Sequence, residues 1–384
     1  MRIEDLTKQL KYRVKEFSNY PHVRFNPCIL HIKKDMYYIC YRLFIPYFKL
    51  KNDENPITWK ARWYSNIDTT ILAEFKYSNG KFTLLNEHEL IPKYMENKNQ
   101  TIVDSRLVKD KNDNTFLTFN TWTQDTKTDV HKGMKDCLNS YNCTYIAKSK
   151  LNMKSKKLYK FNYPCLNLEM VMPKSSRCFE GQREEKNWVW WYDENNKENI
   201  SYFVEPHIVF QNKPFGKCKI VANTTTGNLK KISNKYPGLK FLLGTPPIPY
   251  NDTEYIAVGH AKYNYKKVNI LEKSTLKNKI LHVNKSCSTN PSNFIYMMYF
   301  YTFSKKAPYN ITRVSHAFIP KNHGKYLLTF PMGITRVDDD NKFVVSYGEG
   351  DKYVKLMHIT RSSIEKILND YATLSHEKYK FLVY

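Results

Sequence analysis

The sequence is punctuated by a recurring unit: an apolar, aromatic run, a short polar turn, and a second run. One copy opens at Glu184-Glu185-Lys186-Asn187 and continues through Trp188-Val189-Trp190-Trp191-Tyr192. A charged turn, Asp193 to Glu198, leads into Ile200-Ser201-Tyr202-Phe203-Val204-Glu205-Pro206-His207. Short runs of aromatic and β-branched residues between turn residues read as strands, so the unit is a hairpin. Its middle is apolar and its ends carry Glu185, Lys186, Asn187, Glu205 and His207.

Earlier copies run through Arg24–Ile32 with Met36–Arg42, and Ile102–Val108 with Thr115–Trp122. A later one joins Gly244–Pro249 to Glu254–Lys262. A looser fifth spans Ser315–Pro320 and Lys325–Phe330, and closes with Asn341–Asp351. Hairpins recurring roughly every 60–80 residues point to radial repetition. The expectation is an all-β, five-bladed β-propeller of four-stranded blades, with a β-sandwich pair or β-helix as the alternative. In a propeller the inner strands converge, which would gather Asn26, Asp104, Asn187 and Thr245 at one mouth. The propeller is expected over residues 23–360. Residues 1–22 would form a short amphipathic helical or extended segment. Residues 361–384 would form a Ser-capped helix (Arg361 to Tyr371) and tail packed outside the last blade.

Composition limits the function classes. Of 384 residues, 41% are hydrophobic and 15% aromatic, which supplies a core. Lys and Arg number 61 against 36 acidic residues, a net charge of +25. Such a field attracts anions. The same chain is rich in Lys, Asn, Ile and Tyr, as an AT-rich coding sequence would make it. The basic residues are scattered without a nucleic-acid-binding signature, so nucleic acid is a possible but not favoured partner. The eight cysteines show no metal spacing; Cys28 and Cys40 sit in apolar runs and read as buried thiols, while Cys137 and Cys143 would pair only in an oxidising compartment. Sequons stand at Asn99, Asn142, Asn199, Asn223, Asn251, Asn284 and Asn310. An Asn-rich chain produces them by chance. No apolar run is long enough to span a bilayer, and no secretory leader is evident, so the expected location is cytoplasmic. Asp338-Asp339-Asp340 reads as an acidic hairpin turn, and no metal or cofactor is assigned.

Asn26-Pro27, Tyr41-Arg42, Asp104-Ser105-Arg106, Glu185-Lys186-Asn187-Trp188, Gly244-Thr245-Pro246-Pro247 and Gly259-His260 follow one another in a telling order. Together with Ser346-Tyr347-Gly348-Glu349-Gly350-Asp351, they resemble the successive blade motifs of the five-bladed carbohydrate-active propellers. The β-mannoside phosphorylases and β-1,2-mannosyltransferases are the nearest in pattern, over about residues 24–358. That family's second-blade motif is Glu-Asp-Pro-Arg. Here Asp104 and Arg106 match, Val103 stands in place of Glu and Ser105 in place of Pro.

The resemblance implies Asp104 as proton donor, acting through a sugar hydroxyl. It implies Asn26, Arg42, Arg106, Asn187, Trp188 and Thr245 as substrate contacts, and Lys186 with His260 as an anion pocket. The partners implied are a glycan or oligosaccharide acceptor and a sugar phosphate or nucleotide sugar donor. The family's further phosphate-binding arginines have no match here. Transfer to or from phosphate needs one acid and cations, whereas hydrolysis needs two carboxylates. Glu185 and Glu205 are the pair a hydrolase would use. A non-catalytic propeller that binds glycan or nucleic acid is the reading from a different class.

Overall fold

The computed structural model describes residues 1–46, 66–90, 101–123, 143–158, 178–179, 182–183, 187–212, 218–224, 227–236, 238–264, 294–320, 328–371, 374, 379 and 381–383. Strand β1 (Arg2–Asp5) opens the chain. The first sheet runs in order through β2 (Val23–Lys33), β3 (Met36–Pro46), β4 (Asn66–Ser78) and β5 (Lys81–Glu89). The second holds β6 (Thr101–Lys109), β7 (Thr115–Thr123) and β8 (Cys143–Lys150). A small hairpin, β9 (Cys178–Phe179) and β10 (Gln182–Arg183), follows. The third sheet holds β11 (Val189–Tyr192), β12 (Glu198–Phe203), β13 (His207–Asn212) and β14 (Cys218–Thr224).

Helix α1 (Asn228–Lys235) leads to the fourth sheet. Its strands are β15 (Leu239–Leu242), β16 (Ile248–Pro249), β17 (Glu254–Asn264), β18 (Phe294–Ser304), β19 (Ile311–Ser315) and β20 (Ala317–Ile319). The fifth holds β21 (Thr329–Val337), β22 (Asp339–Glu349) and β23 (Tyr353–Thr360). Helix α2 (Arg361–Glu365), β24 (Leu368–Asp370) and β25 (Phe381–Val383) complete the chain. The last two strands return to the fourth sheet, β24 on β19 and β25 parallel to β20.

Five hydrophobic clusters lie between successive sheets. Cys40, Leu72, Leu107 and Phe119 join the first to the second, and Val108, Trp190 and Phe210 the second to the third. Trp191, Val209, Tyr255 and Tyr301 join the third to the fourth, and Phe300, Ile334 and Val345 the fourth to the fifth. Ile39, Tyr41, Phe75, Val344 and Leu356 join the fifth back to the first. Among the described residues this is a closed ring of sheets, the plan of a β-propeller. The edge strands β2, β6, β11 and β21, with β15 and β16 in the fourth sheet, lie toward its centre, where β2 packs on β6 and β21, and β6 on β11 and β21.

Within the segment expected to be helical or extended, Arg2–Asp5 is strand β1, which pairs with β23 along Arg2↔His358 to Asp5↔Lys355, and Lys15–Phe17 is a single 3-10 turn. An open strand edge offers unpaired backbone groups, and taking it up satisfies more of them than a lone short helix would. The N-terminal segment is therefore part of the fifth sheet. The expected Arg361–Tyr371 helix shrinks to α2, capped by Thr360, whose Oγ1 accepts the Ser363 N–H at 3.2 Å, rather than by a serine. The looser fifth hairpin also shifts: residues 315–319 belong to the fourth sheet, and β21 with β22 forms the hairpin of the fifth. Its turn carries the three aspartates, and each has a protein partner: Asp338 with Lys342, Asp339 with the Asn341 N–H, and Asp340 with Arg336.

Candidate active site

Alternation along two strands of the first sheet sets up the site. In β3, Tyr37, Ile39, Tyr41 and Leu43 face the fifth sheet, and Tyr38 and Cys40 face the second. In β4, Ile71, Ala73 and Phe75 face the fifth and Leu72 the second. A period of two puts Arg42, Asp68 and Thr70 on the side toward the second sheet. Arg42 and Thr70 are cross-strand partners there.

Asn26 in β2 and Asp104 in β6 sit at matching irregularities. Register breaks between Phe25 and Cys28 on the β2–β3 ladder, and between Val103 and Arg106 on the β6–β7 ladder. Asn26 has φ 50° and Asp104 φ 52°. Asn and Asp tolerate this left-handed conformation, and a bulge there redirects the side chain out of the alternation. The two side chains meet: Asn26 Nδ2 donates to Asp104 Oδ1 at 2.8 Å.

Arg42 braces the same carboxylate. Its Nη1 lies 3.3 Å from Asp104 Oδ1, and its Nε donates to Asp68 Oδ1 at 2.8 Å while Nη2 donates to Asp68 Oδ2. This is a two-toothed Arg–carboxylate pair with a third arm for Asp104. Burial opposes the Arg42 charge, but Asp68, Asp104 and Asp351 outweigh it and hold the guanidinium charged. Burial raises Asp68 against the pull of Arg42. Burial also pushes Asp351 up to about 6, against Arg42 and with help from Asp104. Asp351 has φ 50° and follows β22. The Gly348 two residues into its motif clears space, since a Cβ there would stand 2.5 Å from Asn26 Oδ1 and 2.9 Å from Asn26 N.

Arg106 ties the second sheet to the fourth. Its Nε donates to Gly244 O at 2.7 Å and its Nη1 to Asp104 O at 3.3 Å. The residue is 2% exposed, and its Nη2 has no protein partner. Asn26 Oδ1 and Asn187 Oδ1 are likewise buried without a hydrogen-bond donor. Asn187, with φ 66°, stands before β11. Buried polar atoms left in this way are where a ligand's hydroxyls and anionic groups find partners.

Other expected residues go elsewhere. His260 is buried, and its Nδ1 donates to Leu243 O at 2.6 Å. Burial, with Arg106 and Lys262, pushes it down to about 3, so the ring is neutral at pH 7 and supplies no positive charge to an anion pocket. Its ring stacks on Tyr296, centroids 5.7 Å apart. Thr245 is fully buried and spends its hydroxyl on the Val258 N–H at 3.0 Å. Trp188 is buried in the cluster between second and third sheets, edge-on to Tyr202 at 4.9 Å, so its ring packs the core instead of offering a sugar platform. Glu205 accepts a hydrogen bond from Tyr371 at the chain's C-terminal part. His207 is buried, bonded through Nδ1 to Tyr309 O at 2.7 Å, and lowered by burial to about 4. Lys186 and Glu185 lie outside the described residues. Cys28 and Cys40 are buried free thiols, as read from the sequence. Cys218 is disulfide-bonded, which a reducing cytoplasm does not favour.

Asp68 and Asp351 were not singled out from the sequence. Asp351 closes the Tyr-Gly-x-x-Asp segment, which was the available signal. Asp68 continues the polar side of an alternating strand and carries no motif of its own.

No protein-family model matches the sequence, and no curated protein matches it either. Solved structures do share the architecture. The β-1,2-mannobiose phosphorylase of Listeria innocua superposes with a TM-score of 0.54 at 11% identity, over 95% of this chain and 99% of that one. A GDP-Man-dependent mannosyltransferase of Leishmania mexicana is similar at a TM-score of 0.44 and 12% identity, over 88% of this chain and 85% of that one. A mannose phosphorylase from the same organism has the same score and identity, over 91% and 88%. At these identities the likeness is one of fold. Among the described residues no helix is long and apolar enough to cross a membrane.

Proposed function

We propose that the chain is a carbohydrate-active enzyme that transfers a β-linked mannosyl group, to or from phosphate or a sugar acceptor, with Asp104 as proton donor. The observation that carries this reading is the Asp104 bulge: an aspartate in left-handed conformation at the ring's centre, gripped by Asn26 and Arg42. A fixed carboxyl is what protonation of a leaving glycosidic oxygen requires. The order of motifs, together with the fold shared with a β-1,2-mannobiose phosphorylase, is what favours a mannoside as the substrate class. Arg106, with its buried and unpartnered Nη2, takes the anion-holding role in place of neutral His260, with Lys186 as a further candidate. Asn26 and Asn187 serve as sugar contacts, and Arg42 orients the acid.

A second reading is a hydrolase that pairs Asp104 with Asp351, whose raised carboxyl and electrostatic coupling to Asp104 favour it over the Glu185–Glu205 pair. Phosphorus NMR of the donor, with proton NMR of the sugars for the phosphate-free reaction, separates the two. The protein is incubated with mannose 1-phosphate or GDP-mannose and simple sugar acceptors, and with β-1,2-mannobiose with and without phosphate. Donor consumption supports transfer, and Asp104→Asn is expected to slow it by roughly 10²–10⁴-fold. Mannobiose cleavage in phosphate-free buffer supports hydrolysis. Full activity in Asp104→Asn would remove Asp104 from both.

A further inference from the structure

We propose that Thr70 is a positioning residue for Asp104. Its hydroxyl, in series with that of Ser105, stiffens the bulge that aims the Asp104 carboxyl. The proposal rests on the reading of Asp104 given above.

The chain contains its own comparison. The bulge of β2 is Asn26-Pro27 and that of β6 is Asp104-Ser105, with nearly equal φ at the leading residue and the same kind of register break. In the first, the Pro27 ring fixes the next φ and leaves no N–H to satisfy. In the second, Ser105 has neither constraint. The bulge of β6 is held from outside its own strand instead.

Thr70 belongs to β4 of the first sheet and is fully buried; Ser105 is 3% exposed. Thr70 Oγ1 donates to Ile102 O at 3.0 Å and lies 2.8 Å from Ser105 Oγ. A hydroxyl has one proton, and that of Thr70 is given to Ile102, so Ser105 is the donor in the second bond. The series runs from Ser105 O–H to Thr70 O–H to the Ile102 carbonyl. It bolts the residue after Asp104 to the residue two before it. Two further bonds reach the bulge from the same face of the first sheet. The Cys40 thiol donates to Ser105 O at 3.4 Å, and the Leu107 N–H donates to Cys28 Sγ at 3.2 Å. Two hydroxyls therefore restore in the second sheet the stiffness that a proline ring gives in the first.

The test uses Thr70→Val, which keeps the shape and removes the hydroxyl, with Thr70→Ser, Ser105→Pro and the Thr70→Val/Ser105→Pro pair. The substrates are β-1,2-mannobiose with inorganic phosphate, and mannose 1-phosphate with mannose. In Thr70→Val, kcat is expected to fall by roughly ten- to a hundredfold with KM within about twofold, since misplacing a catalytic group costs rate more than affinity. Thr70→Ser should recover most of the loss, and Ser105→Pro should recover it in the double variant by supplying the ring that Asn26-Pro27 already has. A wild-type kcat in Thr70→Val, or a loss that neither change rescues, overturns the proposal. Hydrogen–deuterium exchange of the amides at 104–107 gives a readout independent of turnover. Faster exchange in Thr70→Val, reversed in the double variant, supports the bolt; unchanged exchange refutes it. If the wild type turns over no donor but the exchange behaves as expected, the bolt stands and the mannosyl-transfer reading fails.

Discussion

At the scale of single residues, the site depends on which carboxyl keeps its proton. Asp351 is held up to about 6 by burial, above the ordinary 3.8 for aspartate. The folded state therefore binds more protons than the unfolded state between those two values. Stability from this group falls as pH rises through that interval, and the full penalty is present above about pH 6. Asp351→Asn should thus gain on the order of 3 kcal/mol over wild type at pH 7, and the gain should vanish as pH drops toward 4. Thermal melts of both proteins across pH 4–8 check this, and a difference that stays flat with pH refutes the raised value. The same reasoning explains why His260 misled. The resemblance implies His260 as part of an anion pocket, but charge is set by surroundings, and burial leaves this ring neutral. Asp104 and Asn26 stand out in the sequence by their place at the start of inner strands and by the order of motifs, whereas the left-handed backbone that turns them toward each other carries no sequence signal. Asp68 and Thr70 do not stand out, because the role of Asp68 arises only when β4 is paired with β3, and that of Thr70 only when β4 is laid against β6.

At the scale of elements, the hairpins were legible because aromatic and β-branched runs alternate with polar turns at regular spacing. Their ends were not. Whether Arg2–Asp5 becomes helix or strand is decided by an unpaired edge on β23, hundreds of residues away, and local pattern carries no trace of it. Trp188 shows the same limit: a tryptophan at a strand start serves a ligand or a core equally well, and the neighbouring sheet claims it. One contact between elements invites a direct test. Strand β22 approaches the bulge of β2 so closely at Gly348 that a methyl group meets Asn26 on both its side chain and its backbone. Gly348→Ala should cost about 1–3 kcal/mol through overpacking. It should also weaken turnover beyond that, because Asn26 must withdraw from Asp104. A variant with wild-type melting temperature and activity would mean that the approach is looser than described.

At the scale of the whole molecule, ring closure rests on β1. Glu4 accepts from the Phe82 N–H at 3.0 Å and lies 2.8 Å from His358 Nε2, with Arg2 alongside. Burial raises its carboxyl, but the bonds from His358 and Phe82 outweigh that and hold it below the ordinary 4.5. Such a group contributes stability above its unfolded value and loses it as pH falls through the folded one. The protection factors of the amides of Tyr353–Thr360, with the intrinsic pH dependence of exchange divided out, should therefore fall below about pH 4.5 in the wild type. In Glu4→Gln, which lacks about 1 kcal/mol of this clasp at neutral pH, the dependence should be flatter. Equal pH profiles would show that the clasp does not hold the edge. The same clasp has a meaning for how the protein is made. Strand β1 leaves the ribosome long before β23, the strand that receives it. Until then the nascent chain is an arc with a raw edge, exposed to every neighbouring polypeptide. Guarding that edge falls to the cell's folding assistants, for as long as translation takes.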